Sequence, residues 1–216
     1  MSLSKKERAV KTQQALASLY PDTGAHLAYH TPWELLVATV LAAQCTDARV
    51  NKVTPALFEY LPTPADFATV SQEELEGLIR STGFYRNKAK HLINAANRLV
   101  NNFGGVVPRT IKELTTLDGV ARKTANVVLN GAFGINEGLA VDTHVGRIST
   151  RLGLTKGKNP EIIEQDLMKL FPQAEWGNVN HRMVSFGRDV CDARNPRCSI
   201  CPIESFCPKV GVKKSC

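Results

Sequence analysis

Along this chain core-type residues recur at intervals of three and four. Leu35, Leu36, Thr39, Val40 and Ala43 repeat in this way, as do Leu92, Ala95, Ala96 and Leu99. That spacing puts each group on one face of a helix. Helix starts are marked as well. Ser4…Glu7, Thr31-Pro32-Trp33-Glu34 and Ser71…Glu74 have the form of capping boxes, in which a hydroxyl and a returning carboxylate satisfy orphan amides. Thr63-Pro64 and Asn159-Pro160 add a cap followed by proline in the first turn. Gly104-Gly105 and Gly153 are placed to close helices. Val106-Val107 is too short to count as a strand, and no alternating stretch is bounded by hairpin turns. The expected fold class is all-α. Two lobes are expected, with the chain crossing between them near Asp22 to Ala25 and Gly134 to Gly138.

With 216 residues, 43% of them hydrophobic and 22% charged, the chain can bury a full core. It has no apolar run of about 18 residues, so no membrane span is expected. Met1 to Arg8 is charged and is not followed by an apolar signal core, which points to an intracellular protein with reduced thiols. The net charge of +7 suggests a polyanionic partner, and its distribution sharpens the case. Gly77 to Lys112 holds no acidic residue but carries Arg80, Arg86, Lys88, Lys90, Arg98, Arg109 and Lys112. A second basic group comprises Arg182, Arg188, Arg194, Arg197, Lys209, Lys213 and Lys214. Either group reads as a solvated face or, more sharply, as a surface that tracks phosphates.

Two motifs carry chemistry. Cys191, Cys198, Cys201 and Cys207 are separated by six, two and five residues, a compact set that reads as a metal site rather than as disulfides. Zinc and a 4Fe–4S cluster both accept four thiolates, and spacing barely separates them. Cys45 reads as a small buried side chain and Cys216 as a frayed terminal thiol. The second motif is Leu117 to Ala125, a glycine turn between helical patterns at 110–116 and 121–133. Such a turn presents backbone amides at the start of the second helix, where the dipole also favours an anion, and so holds a phosphate without reading sequence. Leu117 and Val120 would anchor it. Taken alone, the segment also reads, less sharply, as an ordinary αα-corner.

Together these motifs resemble the endonuclease III family of DNA glycosylases. The helix–hairpin–helix Leu117-x-Gly119-Val120-x-Arg122-Lys123-Thr124-Ala125-Asn126-Val127-Val128, the segment Val141-Asp142-Thr143-His144 and the cysteine set occur in the family's order. The resemblance implies a six-helix barrel domain over 25–136 containing the hairpin. An iron–sulfur domain would be formed by 1–24 and 137–216, and the two would flank a DNA-binding cleft. It also implies a 4Fe–4S cluster on Cys191, Cys198, Cys201 and Cys207. The partner would be double-stranded DNA with damaged bases or abasic sites, and the protein a monomer of the cytoplasm, nucleoid-associated in a bacterium. The implied activity is base excision repair. Oxidised pyrimidines would be removed through a lysine Schiff base, and the strand then cut by β-elimination.

In that resemblance Lys123 is the nucleophile; a lysine must be neutral to attack, and a helix start beside Arg122 disfavours its charged form. Asp142 is the catalytic aspartate, although its place before Thr143 also makes it an ideal N-cap. His144 would contact a phosphate, and Gly119 and Ala121 would offer hairpin amides. Gln44 would fill the gap left by a flipped base, and Phe84 stands where the family usually has an aliphatic wedge. There are departures. Asp118 stands in place of a usual proline, Ala121 in place of a usual glycine, and Thr115 where relatives have an acidic residue. Ile135 to Gly138 is about one residue longer than usual. Two other readings compete: a monofunctional mismatch glycosylase, which would lack the lysine, and a non-catalytic iron–sulfur DNA-binding protein.

Overall fold

The structure, a computed structural model, describes every residue except Met1, Ser2, Thr23 and Ala25. Parts of the N-terminal and first-crossing expectations therefore lie outside the described residues. The described residues form helices, turns and loops, with no strand. The chain divides into two units, Ala25–Glu137, and Met1–Gly24 with Gly138–Cys216. None of its helices is long and apolar enough to cross a membrane among the described residues.

The Ala25–Glu137 unit is built around a mostly apolar helix buried on every side. After α1 (Lys5–Leu19), which belongs to the other unit, α2 (Pro32–Leu41) has all residues from Trp33 to Leu41 buried, as a central core helix must. Around it stand α3 (Asp47–Tyr60), α4 (Pro64–Thr69) and α5 (Gln72–Ile79). A 3₁₀ turn at Arg80–Thr82 leads to α6 (Tyr85–Phe103), α7 (Ile111–Leu114) and α8 (Arg122–Phe133). Leu92, Ala95, Ala96 and Leu99 of α6 are fully buried, as their spacing predicts. Ala43 is not: α2 ends at Leu41, and Ala43 lies exposed in the following turn. Helices α2 and α8 pack closely. A Cβ on Gly131 would stand 2.7 Å from Leu35 Cδ2, and Tyr29 Oη donates to the Gly131 carbonyl at 2.7 Å.

The other unit packs α1 with α9 (Thr143–Arg151), α10 (Pro160–Met168) and α11 (Trp176–Asp189). Ala9 and Leu16 of α1 join Val145, Ile148, Leu167, Met183 and Phe186 in one core. Arg8 ties the start of α1 to the end of α9, with Nε donating to the Leu152 carbonyl at 2.9 Å.

The caps are mostly as the sequence predicts, with two differences. Ser4 and Glu7 form a reciprocal box. Thr31 and Ser71 cap their helices, but Glu34 accepts from the His30 amide and Glu74 from the Tyr60 hydroxyl instead of closing boxes. Thr63 and Asp66 form a reciprocal box in addition to the proline start. Cys216 is not frayed: its amide donates to the Pro196 carbonyl at 3.1 Å, and its carbonyl accepts from the Ser199 amide at 3.0 Å.

Gly131→Val would drive a branched side chain into fully buried Leu35 and against Tyr29. It is expected to destabilise the protein by about 3 kcal/mol, the upper part of the overpacking range, which urea denaturation measures.

Candidate nucleic-acid interface and metal centre

Hydroxyl side chains cap the helices of the Ala25–Glu137 unit at Thr31, Thr46, Thr63, Ser71 and Thr110, but none caps α6 or α8. The N-cap of α8 is Ala121, whose methyl accepts nothing. The first turn of α8 therefore has no side-chain cap, and a helix start of this kind can take an anionic acceptor. Lys123 lies in that turn and is exposed. Leu117 and Val120, 2% and 5% exposed, anchor both ends of the connection in the core, as expected.

Glycine is required twice over at position 119. Its φ is +76°, and a Cβ there would lie 3.0 Å from His91 Cβ on α6. Asp118 faces the same helix. Its Oδ2 accepts a 2.6 Å bond from Asn94 Nδ2 and lies 3.9 Å from His91 Nδ1. The carboxylate is therefore engaged in docking the hairpin on α6. The glutamate of the long segment also has a partner, since Glu137 Oε2 accepts from the Ile111 amide at 2.9 Å, at the start of α7.

Gln44 and Phe84 both sit on exposed turns in the left-handed region, with φ of +53° and +49°. Phe84 is 62% exposed, so it is not a core phenylalanine. Lys88, counted in sequence among the basic surface residues, is 4% exposed and belongs to the interior.

In the other unit Asp142 caps α9, its Oδ1 accepting from the Val145 amide at 2.8 Å. Asp142, Thr143 and Arg147 line an open groove of about 720 Å³. His144 is half-buried, and its Nδ1 lies 3.1 Å from Arg147 Nη2. Burial lowers its pKa, and Arg147 and Arg188 push the same way, against Asp142 and the Gly187 backbone. A Cβ on Gly187 would lie 2.5 Å from His144 Nδ1, which explains the glycine.

Residues that sequence reasoning missed connect this helix to the cysteines. Arg147 Nε donates to the Cys191 carbonyl at 3.1 Å. Arg151 donates to the Asp192 carbonyl at 2.6 Å, the Ala193 carbonyl at 2.8 Å and Cys191 Sγ at 3.2 Å. Nothing in the local pattern of α9 reveals partners so distant in sequence. Cys191, Cys198, Cys201 and Cys207 line one pocket, together with apolar residues such as Ile148, Leu152 and Phe186. Burial raises the Cys201 and Cys207 thiols, and the neighbouring cysteines push the same way. Ionised thiolates so placed need compensating positive charge from a bound metal group. Four thiols around one pocket suit a metal group bound through thiolates.

Residues 37–173 match the HhH-GPD superfamily of base excision DNA repair proteins, and residues 191–207 match the iron–sulfur binding domain of endonuclease III. The chain is similar to endonuclease III of Synechocystis sp., 54% identical over 95% of this chain and 94% of that protein. Against endonuclease III of Bacillus subtilis the identity is 45%, over 89% and 88%. Two solved structures are similar throughout. A non-covalent endonuclease III–DNA complex has a TM-score of 0.91 and 46% identity, covering 96% of each chain. A trapped endonuclease III–DNA covalent intermediate has a TM-score of 0.90 and 45% identity, covering 96% of this chain and 97% of that one.

Gly119→Ala strains the turn and pushes it off His91. Fluorescence anisotropy is expected to show DNA affinity reduced by about tenfold, since misplaced amides lose the charge-assisted bonds a phosphate would make. Unchanged affinity would mean that the turn does not meet DNA.

Proposed function

The chain belongs to the endonuclease III family, within the HhH-GPD superfamily of base excision DNA repair proteins, and we propose that Lys123 and Asp142 carry its chemistry. The protein is a bifunctional DNA glycosylase and abasic-site lyase, binds damaged DNA and holds a 4Fe–4S cluster. Cys191, Cys198, Cys201 and Cys207 are the proposed ligands. The cluster, when bound, supplies positive charge that neutralises the thiolates and ties the C-terminal segment together; the reaction belongs to the side chains. The proposed substrates are oxidised pyrimidines in duplex DNA, met in the cytoplasm, at the nucleoid in a bacterium.

The observation that carries the assignment is the uncapped start of α8 with Lys123 in its first turn. A phosphate held there beside the Gly119 turn brings the sugar of an extruded nucleotide towards the amine. Lys123 Nζ attacks C1′, the C1′–N bond breaks and the base leaves with its electron pair. Loss of a proton from the nitrogen and opening of the sugar give a Schiff base. Removal of a C2′ proton then expels the 3′-phosphate, which is β-elimination. Asp142, oriented by the helix it caps, stabilises the cationic sugar and assists proton movement. Gln44 and Phe84 enter the duplex where the nucleotide has left it, and the exposure of both supports that role. The presence of Lys123 weighs against a monofunctional relative.

Borohydride trapping on duplex carrying an oxidised thymine tests the nucleophile. Wild type is expected to give a covalent adduct and Lys123→Gln none; an adduct of equal yield with the variant would refute the assignment. A second expectation concerns His144, proposed to contact a phosphate as a neutral ring. His144→Gln should weaken binding at pH 7.5 while leaving the slope of log K against log salt unchanged, because no cation is lost. A slope lowered by about one would show a charged imidazolium instead.

A further inference from the structure

Two turns distant in sequence, one carrying Gln44 and the other Phe84, converge on a single buried ammonium. Lys88, in the first turn of α6, donates from Nζ to the Leu41 carbonyl at 2.7 Å and to the Thr82 carbonyl at 2.9 Å. Leu41 is the last residue of α2, just before the turn that bears Gln44, and Thr82 ends the 3₁₀ turn that leads into Gly83 and Phe84. The Lys88 amide also closes on the Phe84 carbonyl at 3.1 Å.

A cation this deeply buried is costly unless its donors are satisfied. Methionine would fill nearly the same space without that cost, so packing does not account for the charge. The carbonyls do: Leu41 O lies at the negative end of the α2 dipole, where an ammonium is favoured. Both turns hold a non-glycine residue in the left-handed region, and such a conformation persists only where the surroundings over-determine it. Lys88 is an element common to both surroundings.

We infer that Lys88 is a positioning residue for base extrusion. It fixes the Gln44 and Phe84 turns relative to each other, so that both side chains enter the duplex as one preset unit when the damaged nucleotide leaves the stack. The inference rests on the reading of Gln44 and Phe84 as the residues that enter the duplex.

The test compares single-turnover excision of an oxidised pyrimidine in a fully paired duplex with excision of the same lesion in an unpaired bubble. Most of the extrusion cost is already met in the bubble. For Lys88→Met the paired-to-bubble rate ratio is expected to fall about tenfold below that of wild type, the loss expected when extrusion becomes harder by part of its few-kcal/mol cost. A purely structural defect would lower both rates and leave the ratio unchanged, which would overturn the inference. Gln44→Ala and Phe84→Ala are the references, each expected to lower the same ratio. If they lower it and Lys88→Met does not, the role of Lys88 fails while the reading of the two turns stands. If neither lowers it, that reading fails and takes the inference with it. Should Lys88→Met not fold, Lys88→Arg keeps the charge but displaces both carbonyls, and a wild-type ratio there is equally fatal.

Discussion

A helix start exposes amides that must find an acceptor, and the way this chain meets that requirement organises the Ala25–Glu137 unit. Thr31, Thr46, Thr63, Ser71 and Thr110 each cap a helix from within the chain. At α8 that internal solution is withheld. An Asp or Ser at position 121 would cap the helix with its own side chain; Ala121 does not, which is consistent with the phosphate contact proposed for this turn. The rest of the hairpin holds the turn in place. Leu117 and Val120 fix its ends in the core, and Gly119, at φ +76°, lets the turn approach α6 more closely than a side chain would sit without displacing His91.

The other unit applies the same N-terminal capping chemistry to fix a carboxylate in place. At α9 the cap is a carboxylate, and the bond from the Val145 amide both satisfies the helix and fixes the direction of Asp142. The same helix carries Arg147 and Arg151, whose guanidinium groups hold the carbonyls of Cys191, Asp192 and Ala193. One rigid element thus joins the proposed catalytic carboxylate to the loop that begins the cysteine set. Ordering of that loop by a bound cluster and the setting of α9 are mechanically linked, as outer-shell contacts of metal sites generally are.

What could be read from the sequence was what short-range physics decides. Helical spacing, hydroxyl caps, the anchoring of Leu117 and Val120 and the double nature of Asp142 depend on residues within a turn or two of each other. What could not be read depended on partners far along the chain. Lys88 looks like any surface lysine of a basic helix until Leu41 and Thr82 are seen to close over it. Glu34 and Glu74 have the right spacing for capping boxes, yet the His30 amide and the Tyr60 hydroxyl take their carboxylates. The C-terminal cysteine gives no sequence sign that the loop at Pro196 to Ser199 pairs with its backbone. In each case the local signal was real, but a hydrogen bond to another partner prevailed; only at Lys88 is the group so satisfied deeply buried.

The departure at Asp118 follows the same logic. Proline, usual in the family at this position, stiffens a turn by removing conformations from the unfolded chain. Asp118 cannot do that. Its carboxylate instead takes a 2.6 Å bond from Asn94, beside His91 on the same helix. The order of the hairpin then comes from a neighbouring helix rather than from the turn's own stereochemistry. Two consequences follow. The turn is set only once α6 has packed, so its stiffness depends on tertiary structure, and a negative charge near the proposed phosphate site is directed into a hydrogen bond. Asp118 therefore changes what holds the turn in place and not the backbone donors proposed to meet a phosphate.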